Sequence, residues 1–337
     1  MPSEQQLQQA AQRLTQGGLV AFPTETVYGL GADAENPAAL QAIYRAKGRP
    51  ANHPLIVHVH PGADLSYWVK HIPIEAKKLI DAFWPGPLTL ILPRHERIPD
   101  TVSGGQPTLG IRCPSHPVAQ DLLRRMAALK PSRQAGVAAP SANKFGAVSP
   151  TSAAHVAAEF PELDTDQLYI LAAGDTQVGI ESTIVDVSRI EQGIGPVLLR
   201  PGHISAAMLE EVLGYPPARP DIQAPQVSGS LKAHYAPRTE LALFQSEQRA
   251  VLQKELERNP MPQAVVAFSE LVPFILSHVD WYVSASTPEL YAQNLYASLR
   301  RLDQGQYQKI WIQACPDTPE WLAVNDRLGR AAAAFED

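Results

Sequence analysis

The sequence predicts two α/β domains joined by a proline-rich linker, on three observations. The chain has 337 residues, about twice the roughly 150 of an average domain. Short apolar runs bounded by glycine or proline alternate with segments of helical spacing along most of it. Residues 215–238 break that alternation with Pro216, Pro217, Pro220, Pro225 and Pro237 and no apolar run long enough to form an element.

Residues 5–16 have amphipathic helical spacing, and Gly17-Gly18 stop the helix. Residues 19–22 form a short apolar strand ended by Pro23, and 24–32 read as a hydroxyl-rich, glycine-punctuated turn. Helical spacing returns over 38–47 and closes at Gly48. Strands follow at 55–59, 88–92, 108–112, 136–139, 167–171 and 182–187, with helices at 75–82, 117–128 and 152–159 between them. Several of these strands are continuous apolar runs, which marks a sheet buried on both faces. Beyond the linker, strands at 241–244, 264–268, 281–284 and 309–313 are interleaved with helices ending at 257 and covering 289–302 and 320–333. That alternation predicts a small Rossmann-like sandwich.

Hydrophobic residues make up 45% of the chain, charged residues 18%, and the net charge is -6; the chain can bury ordinary cores and lacks the composition of a disordered protein. An acidic balance does not favour a nucleic-acid binder, which usually carries a basic patch. Cys113 and Cys315 are far apart, which excludes a disulfide framework or a structural zinc motif. The first residues lack the basic and apolar regions of a signal peptide, and no stretch approaches the roughly 20 apolar residues of a membrane span. The expectation is a soluble cytoplasmic protein.

No G-x-x-x-x-G-K-[ST] and no complete G-x-G-x-x-G is present, so a bound nucleotide would lack a standard phosphate loop. Four constellations could bind one otherwise. Thr24-Glu25-Thr26-Val27-Tyr28-Gly29-Leu30-Gly31 sets hydroxyls and backbone amides where a polar ligand can come close, or is a plain hydrogen-bonded turn. Lys47-Gly48-Arg49-Pro50 puts two cations around a helix-ending glycine, suited to a polyphosphate or to the helix dipole. His58 and His60 share one strand face and could chelate a metal or be ordinary core and edge histidines. Ala139-Pro140-Ser141-Ala142-Asn143 and Ser149-Pro150-Thr151 present small polar groups ahead of a helix N-terminus, a phosphate contact or an N-cap. Glu181-Ser182-Thr183-Ile184-Val185-Asp186 and Arg200-Pro201-Gly202 complete the set. Catalytic carboxylates are scarce and no nucleophile–base pair is evident, which suits chemistry done by positioning and charge neutralisation.

These segments, with Phe83-Trp84-Pro85-Gly86-Pro87-Leu88-Thr89, resemble the YrdC/Sua5 family, in the family's order and over nearly the whole chain. Lys232-Ala233-His234-Tyr235-Ala236-Pro237 and Asn325-Asp326-Arg327-Leu328 resemble its two-domain Sua5-type members. The resemblance implies a YrdC-like twisted-sheet α/β domain over residues 1–208, a linker or lid over 209–238, and a Rossmann-like α/β/α domain over 239–337. It implies an L-threonylcarbamoyladenylate synthase. Threonine and bicarbonate give N-carboxythreonine, which attacks the α-phosphate of ATP and releases pyrophosphate. Partner transferase proteins then carry the group to adenosine 37 of tRNA.

By the same resemblance Thr26, His58, Arg112, Ala139 and Ser182 surround threonine, with Thr24 close by and Arg112 on the carboxylate. Arg49, His53, Thr108, Ser141, Ser149, Arg200 and Tyr235 contact ATP, and His53 stands where many relatives carry asparagine. Lys47, near the phosphates, and Arg49 are the expected catalytic pair. Mg²⁺ accompanies ATP and no protein-held metal is expected. A carbamoyl-adenylate-forming relative of the hydrogenase-maturation type is an alternative, though this chain has neither the acylphosphatase domain nor the zinc-finger cysteines of those proteins. A non-catalytic module binding tRNA or double-stranded RNA is the alternative from another class; weak binding of either RNA is also compatible with the synthase.

Overall fold

A computed structural model of the chain describes residues 1–271 and 273–336. It divides into two units, one of residues 1–145 and 149–230, the other of 146–148 and 231–337.

The first unit contains α1 (Glu4–Thr15), β1 (Leu19–Pro23), β2 (Tyr28–Asp33), α2 (Pro37–Lys47), β3 (Ile56–His58), α3 (Ile74–Phe83), β4 (Leu88–Pro93) and β5 (Thr108–Arg112). Then come α4 (Pro117–Leu129), β6 (Val137–Ala138), α5 (Ala153–Glu159), β7 (Leu168–Ile170), β8 (Thr183–Asp186), β9 (Val197–Arg200) and α6 (Ala206–Leu213). The nine strands form one mixed sheet in the order β7-β1-β2-β6-β3-β5-β4-β8-β9. Both faces are covered. One carries a core of Leu30, Leu40, Ile43, Val57, Trp68, Leu90 and Ile111, the other a core of Leu14, Val20, Phe22, Leu122, Met126 and Val137 from α1, α4 and the sheet.

Three elements depart from the sequence expectation. Only residues 24–27 turn; Tyr28–Asp33 is a wholly buried strand inside the sheet. Its glycines hid it, and packing explains them. A Cβ on Gly31 would lie 2.8 Å from both Phe22 Cε1 and Val137 Cγ1, and one on Gly29 would lie 3.0 Å from Ala139 Cβ. Glycine inside a strand marks such close approach. Strand β9 was not expected. Helix α6, capped by Ser205 and closed by Gly214 in the left-handed region, takes up residues 209–213 at the head of the expected linker.

The rest of the linker within this unit has no helix or strand, but it is fastened. Leu198 N–H donates to the Ala218 carbonyl and Ala218 N–H to that of Pro196. Arg189 bridges Asp186 and Asp221, meeting both oxygens of Asp221 at 2.9 and 3.0 Å.

The second unit has β10 (Glu240–Phe244), α7 (Arg249–Arg258), β11 (Gln263–Ala267), β12 (Val279–Val283), α8 (Pro288–Gln304), β13 (Lys309–Gln313) and α9 (Leu322–Ala332). Its strands form a wholly parallel sheet ordered β10-β13-β11-β12. The expected Rossmann-like sandwich is present.

Gly31→Val should destabilise the first unit by about 1–3 kcal/mol, the usual cost of overpacking, because Phe22, Val137 and the Val20 carbonyl wall the position. Urea unfolding measures it, and an unchanged midpoint would show that the strand can shift to accept the side chain.

Candidate functional site

One rung of the sheet organises the site. Across β6, β3, β5, β4 and β8 the aligned residues are Val137, His58, Arg112, Thr89 and Ile184. Directly opposed residues project to the same face, so His58, Arg112 and Thr89 stand side by side. Each is buried. Arg112 donates from Nη2 to Glu25 Oε1 at 2.5 Å, from Nη1 to Thr26 Oγ1 at 3.0 Å and from Nε to the Gly86 carbonyl at 3.3 Å. Glu25 Oε2 also accepts from Ser115 N–H. The turn ahead of β2 is braced by Thr24, whose Oγ1 lies 2.9 Å from Thr26 Oγ1 and donates to the Val27 carbonyl. A guanidinium has five N–H groups; the three bonds of Arg112 leave two for a ligand carboxylate.

His58 is held neutral. Burial, then the neighbouring Arg112 charge, pushes its pKa down to about 3, against the pull of the Val137 and Ile56 carbonyls. It therefore offers a neutral imidazole, and no cation, throughout the physiological range.

Next to the rung, Ser182 Oγ meets Thr89 Oγ1 at 2.8 Å. Arg200 wraps the same residue, donating from Nε and Nη2 to the Ser182 carbonyl at 3.0 and 2.9 Å and from Nη2 to its Oγ at 3.2 Å. Gly202 lets this happen, since a Cβ there would lie 2.5 Å from Thr183 N. The two distant motifs around Ser182 and Arg200 are thus one structure.

The Lys47-Gly48-Arg49 segment works through its glycine. Asn36 caps α2, and Gly48 ends it at φ +62°; Arg49 N–H then returns to the Tyr44 carbonyl. Both flanking cations end up buried. Lys47 Nζ donates to the Ser141 carbonyl at 2.6 Å and to that of Asn143, pinning the 139–145 loop. Burial, and next the Arg49 charge, holds its pKa well below the ordinary lysine value. Arg49 donates to the Pro54 carbonyl at 2.9 Å and lies 5.6 Å from the Phe145 ring centroid. His53 packs edge-on against the same ring at 5.2 Å, its pKa lowered by burial and Arg49. Ser141 bridges to Gly29, Ala139 N–H donates to the Ile56 carbonyl, and Ser149 Oγ donates to Glu181 Oε1 at 2.6 Å.

Residues 226–228 of the linker lie on this unit too. Gln226 and Gln106 exchange hydrogen bonds at 2.9 and 3.1 Å, and Val227 is buried against Ile91 and Ile184. Arg200 Nη1 donates to the Ser228 carbonyl at 2.8 Å, and Arg49 reaches Ser228 Oγ at 3.5 Å. Thr108 lines a small recess with Pro54, Gln106, Gly110 and Val227.

Tyr235 belongs to the second unit. It is buried, with φ +62°, its ring 4.1 Å from His234, 5.6 Å from Tyr296 and beneath Arg327. Glu25, Thr89 and Glu181 join the site although the sequence reading gave them no role. Their signal was available in part, since a buried arginine requires a carboxylate and Glu25 stands between Thr24 and Thr26. Among the described residues no group of three or more His, Cys, Asp or Glu could hold a metal, and no helix is long and apolar enough to cross a membrane.

The His58 shift fixes a pH response. Its folded pKa lies below its ordinary value of 6.5, so the unfolded chain takes up the proton first. Stability should be lost as pH falls from about 6.5 toward 3, by at most about 1.4 kcal/mol per pH unit from this residue. Denaturant midpoints between pH 7 and 4 should fall less steeply in His58→Gln than in the parent. Equal slopes would mean that His58 takes up its proton in the fold as readily as in the unfolded chain.

The family model described as "Telomere recombination", for the Sua5, YciO and YrdC proteins, matches residues 12–202, and that described as "Threonylcarbamoyl-AMP synthase, C-terminal domain" matches 204–333. The threonylcarbamoyl-AMP synthase of Pyrococcus abyssi is 36% identical over 336 residues, covering 96% of this chain and 93% of the relative. That of Bacillus subtilis is 37% identical over 340 residues, covering 98% and 94%. The crystal structure of P. abyssi Sua5 complexed with L-threonine superposes with a TM-score of 0.85 at 34% identity, over 98% of this chain and 95% of that one. With both domains matched, the chain belongs to the Sua5/YciO/YrdC family, in its two-domain form with the C-terminal domain of the threonylcarbamoyl-AMP synthases.

Proposed function

We propose that the chain is an L-threonylcarbamoyladenylate synthase, a nucleotidyltransferase that makes threonylcarbamoyl-AMP and pyrophosphate from L-threonine, bicarbonate and ATP. The observation that carries this reading is the buried Arg112, fixed by Glu25, Thr26 and Gly86 with two N–H groups to spare, in one unit with the cations Arg49, Arg200 and Lys47. An amino-acid carboxylate and a triphosphate are the two anions that such a pair of arrangements would bind.

In this reading Arg112 takes the threonine carboxylate, while Thr26, His58, Ala139 and Ser182 surround the side chain and amino group. A neutral His58 can accept a hydrogen bond and does not compete with Arg112 for the anion. Once the threonine nitrogen has bonded to the carbon of bicarbonate, whose hydroxyl leaves as water with a proton from the amine, a carbamate oxygen attacks the α-phosphorus. The bond from that phosphorus to the oxygen bridging to the β-phosphate breaks, and pyrophosphate departs with the electron pair. Arg49 and Arg200 offset the phosphate charge, and Lys47 fixes the loop bearing Ser141 that meets the nucleotide. His53, Thr108, Ser149 and Tyr235 complete the ATP contacts. Mg²⁺ would enter with the nucleotide substrate, held by its phosphates and by Glu181, whose Oε1 accepts from Ser149 Oγ, and would neutralise phosphate charge when bound. The product serves transferase proteins that modify adenosine 37 of tRNA, in the cytoplasm.

Pyrophosphate release, followed with each substrate omitted in turn, tests this. It should require all three, and serine should react about 10–200-fold more slowly, the worth of one methyl in a fitted niche. Arg112→Ala should weaken threonine more than ATP, and Arg49→Ala the reverse, when each ligand is titrated alone. Pyrophosphate without threonine, or equal loss of both ligands in both variants, would overturn the assignment.

The lid role of the linker rests on Tyr235. A non-glycine residue at positive φ holds strain of order 1–3 kcal/mol, which clusters at functional sites. Because its ring is fully packed, alanine would open a cavity, so Tyr235→Phe is the sounder variant. It should melt within a few degrees of the parent and show a raised KM for ATP. An unchanged KM would reduce the segment to a tether.

A further inference from the structure

The second unit carries a cavity that the synthase reading does not use. It measures about 260 Å³ and lies between α8 and the parallel sheet. Val266 of β11 and Ile312 of β13, cross-strand neighbours, form its floor with Leu295 and Leu299 of α8. Val283, Ser284 and Ala285, at the carboxyl end of β12, form one edge. Tyr282, Asn294, Ser298 and Arg301 supply the polar rim.

Three independent features point to a ligand. The first is position. After β11 the chain moves outward to β12, whereas after β13 it turns back through α9, which packs against β10. The connections thus leave the carboxyl ends of two adjacent strands in opposite directions, and such a switch point is where open parallel sheets bind ligands. The second is chemistry. The rim sets the Asn294 side chain and the Ser298 hydroxyl over an apolar floor of Val266, Leu295, Leu299 and Ile312, the few polar groups over an apolar lining that ligand pockets have. The third is charge. No Asp or Glu lines the cavity, while Arg301, exposed and 5.3 Å from the Tyr282 ring centroid, pairs with no carboxylate among the described residues.

We propose that this cavity is a ligand site of the C-terminal domain for a small amphipathic anion, with a carboxylate or phosphate head on a flat apolar body. The head meets Arg301 and the rim of Asn294 and Ser298, and the body enters the slot above Val266 and Ile312. At about 260 Å³ the site is below the usual range for drug-sized molecules, so the occupant is metabolite-sized.

The test uses the full chain and three probes of one shape, namely benzoate, phenyl phosphate and neutral benzyl alcohol, followed by ligand-observed NMR titration. At least one anion should bind saturably, and about tenfold or more tighter than the alcohol; which anion binds identifies the head group. Arg301→Gln should weaken it by about tenfold or more, and Ser298→Phe, which fills the slot, should abolish it. Arg301 is exposed, so its variant tests the idea even if Ser298→Phe fails to fold. Arg49→Ala serves as the control for anion binding in the first unit. The proposal is overturned by absent saturation, by equal binding of the alcohol, by an unchanged affinity in Arg301→Gln, or by loss of binding in Arg49→Ala instead. Pyrophosphate release by Arg301→Gln should stay at the parent level, which keeps this result separate from that of the synthase reading.

Discussion

The ion pair between Arg112 and Glu25 is the constraint on which the first unit's site depends. Through it β5, the turn ahead of β2, the 83–87 loop and the backbone at Ser115 meet at one guanidinium and one carboxylate. A buried pair of this kind rarely adds net stability, yet removing one partner costs about 3–5 kcal/mol because the other charge is left unpaired. Its value here is orientation. The arginine is held on three sides and keeps two donors, and the adjacent imidazole is kept neutral by the same burial and charge. A flexible surface arginine would have to lose side-chain entropy on every binding event; this one has lost it on folding.

The same logic recurs at Arg200 and Lys47. Each is buried and spends N–H groups on backbone carbonyls, Arg200 on Ser182 and Ser228, Lys47 on Ser141 and Asn143. The cations therefore define the positions of loops as much as they offer charge. Glycine makes each approach feasible, Gly48 by its left-handed φ and Gly202 by leaving room beside Thr183. The chemistry such a site performs is preorganised electrostatics, with little reorganisation left for the reaction itself.

The linker fits neither a free tether nor a fully mobile lid. Ala218, Asp221, Gln226 and Ser228 are all bonded to the first unit, and Ser228 engages the two arginines assigned to phosphate. Gly229, at φ +78°, follows immediately and is the natural place for the backbone to turn. Ser228 would have to yield its bonds wherever a phosphate took both arginines.

By itself the sequence determined the α/β class, most element positions and the residue types of the site. Apolar runs ended by glycine or proline and helical spacing are local properties, and they survive without knowledge of the fold. The family resemblance lay in those same local motifs, including the threonines at 24 and 26, the 47–49 cations and Arg200. Strand β2 escaped that reading because glycine lowers strand propensity, and only its neighbours Phe22, Val137 and Ala139 explain why glycine is there. The partners of Arg112, the neutral state of His58 and the union of Ser182 with Arg200 were likewise decided by tertiary structure. Each depends on residues brought together from segments distant in the chain, and on the loss of solvent that follows from their meeting.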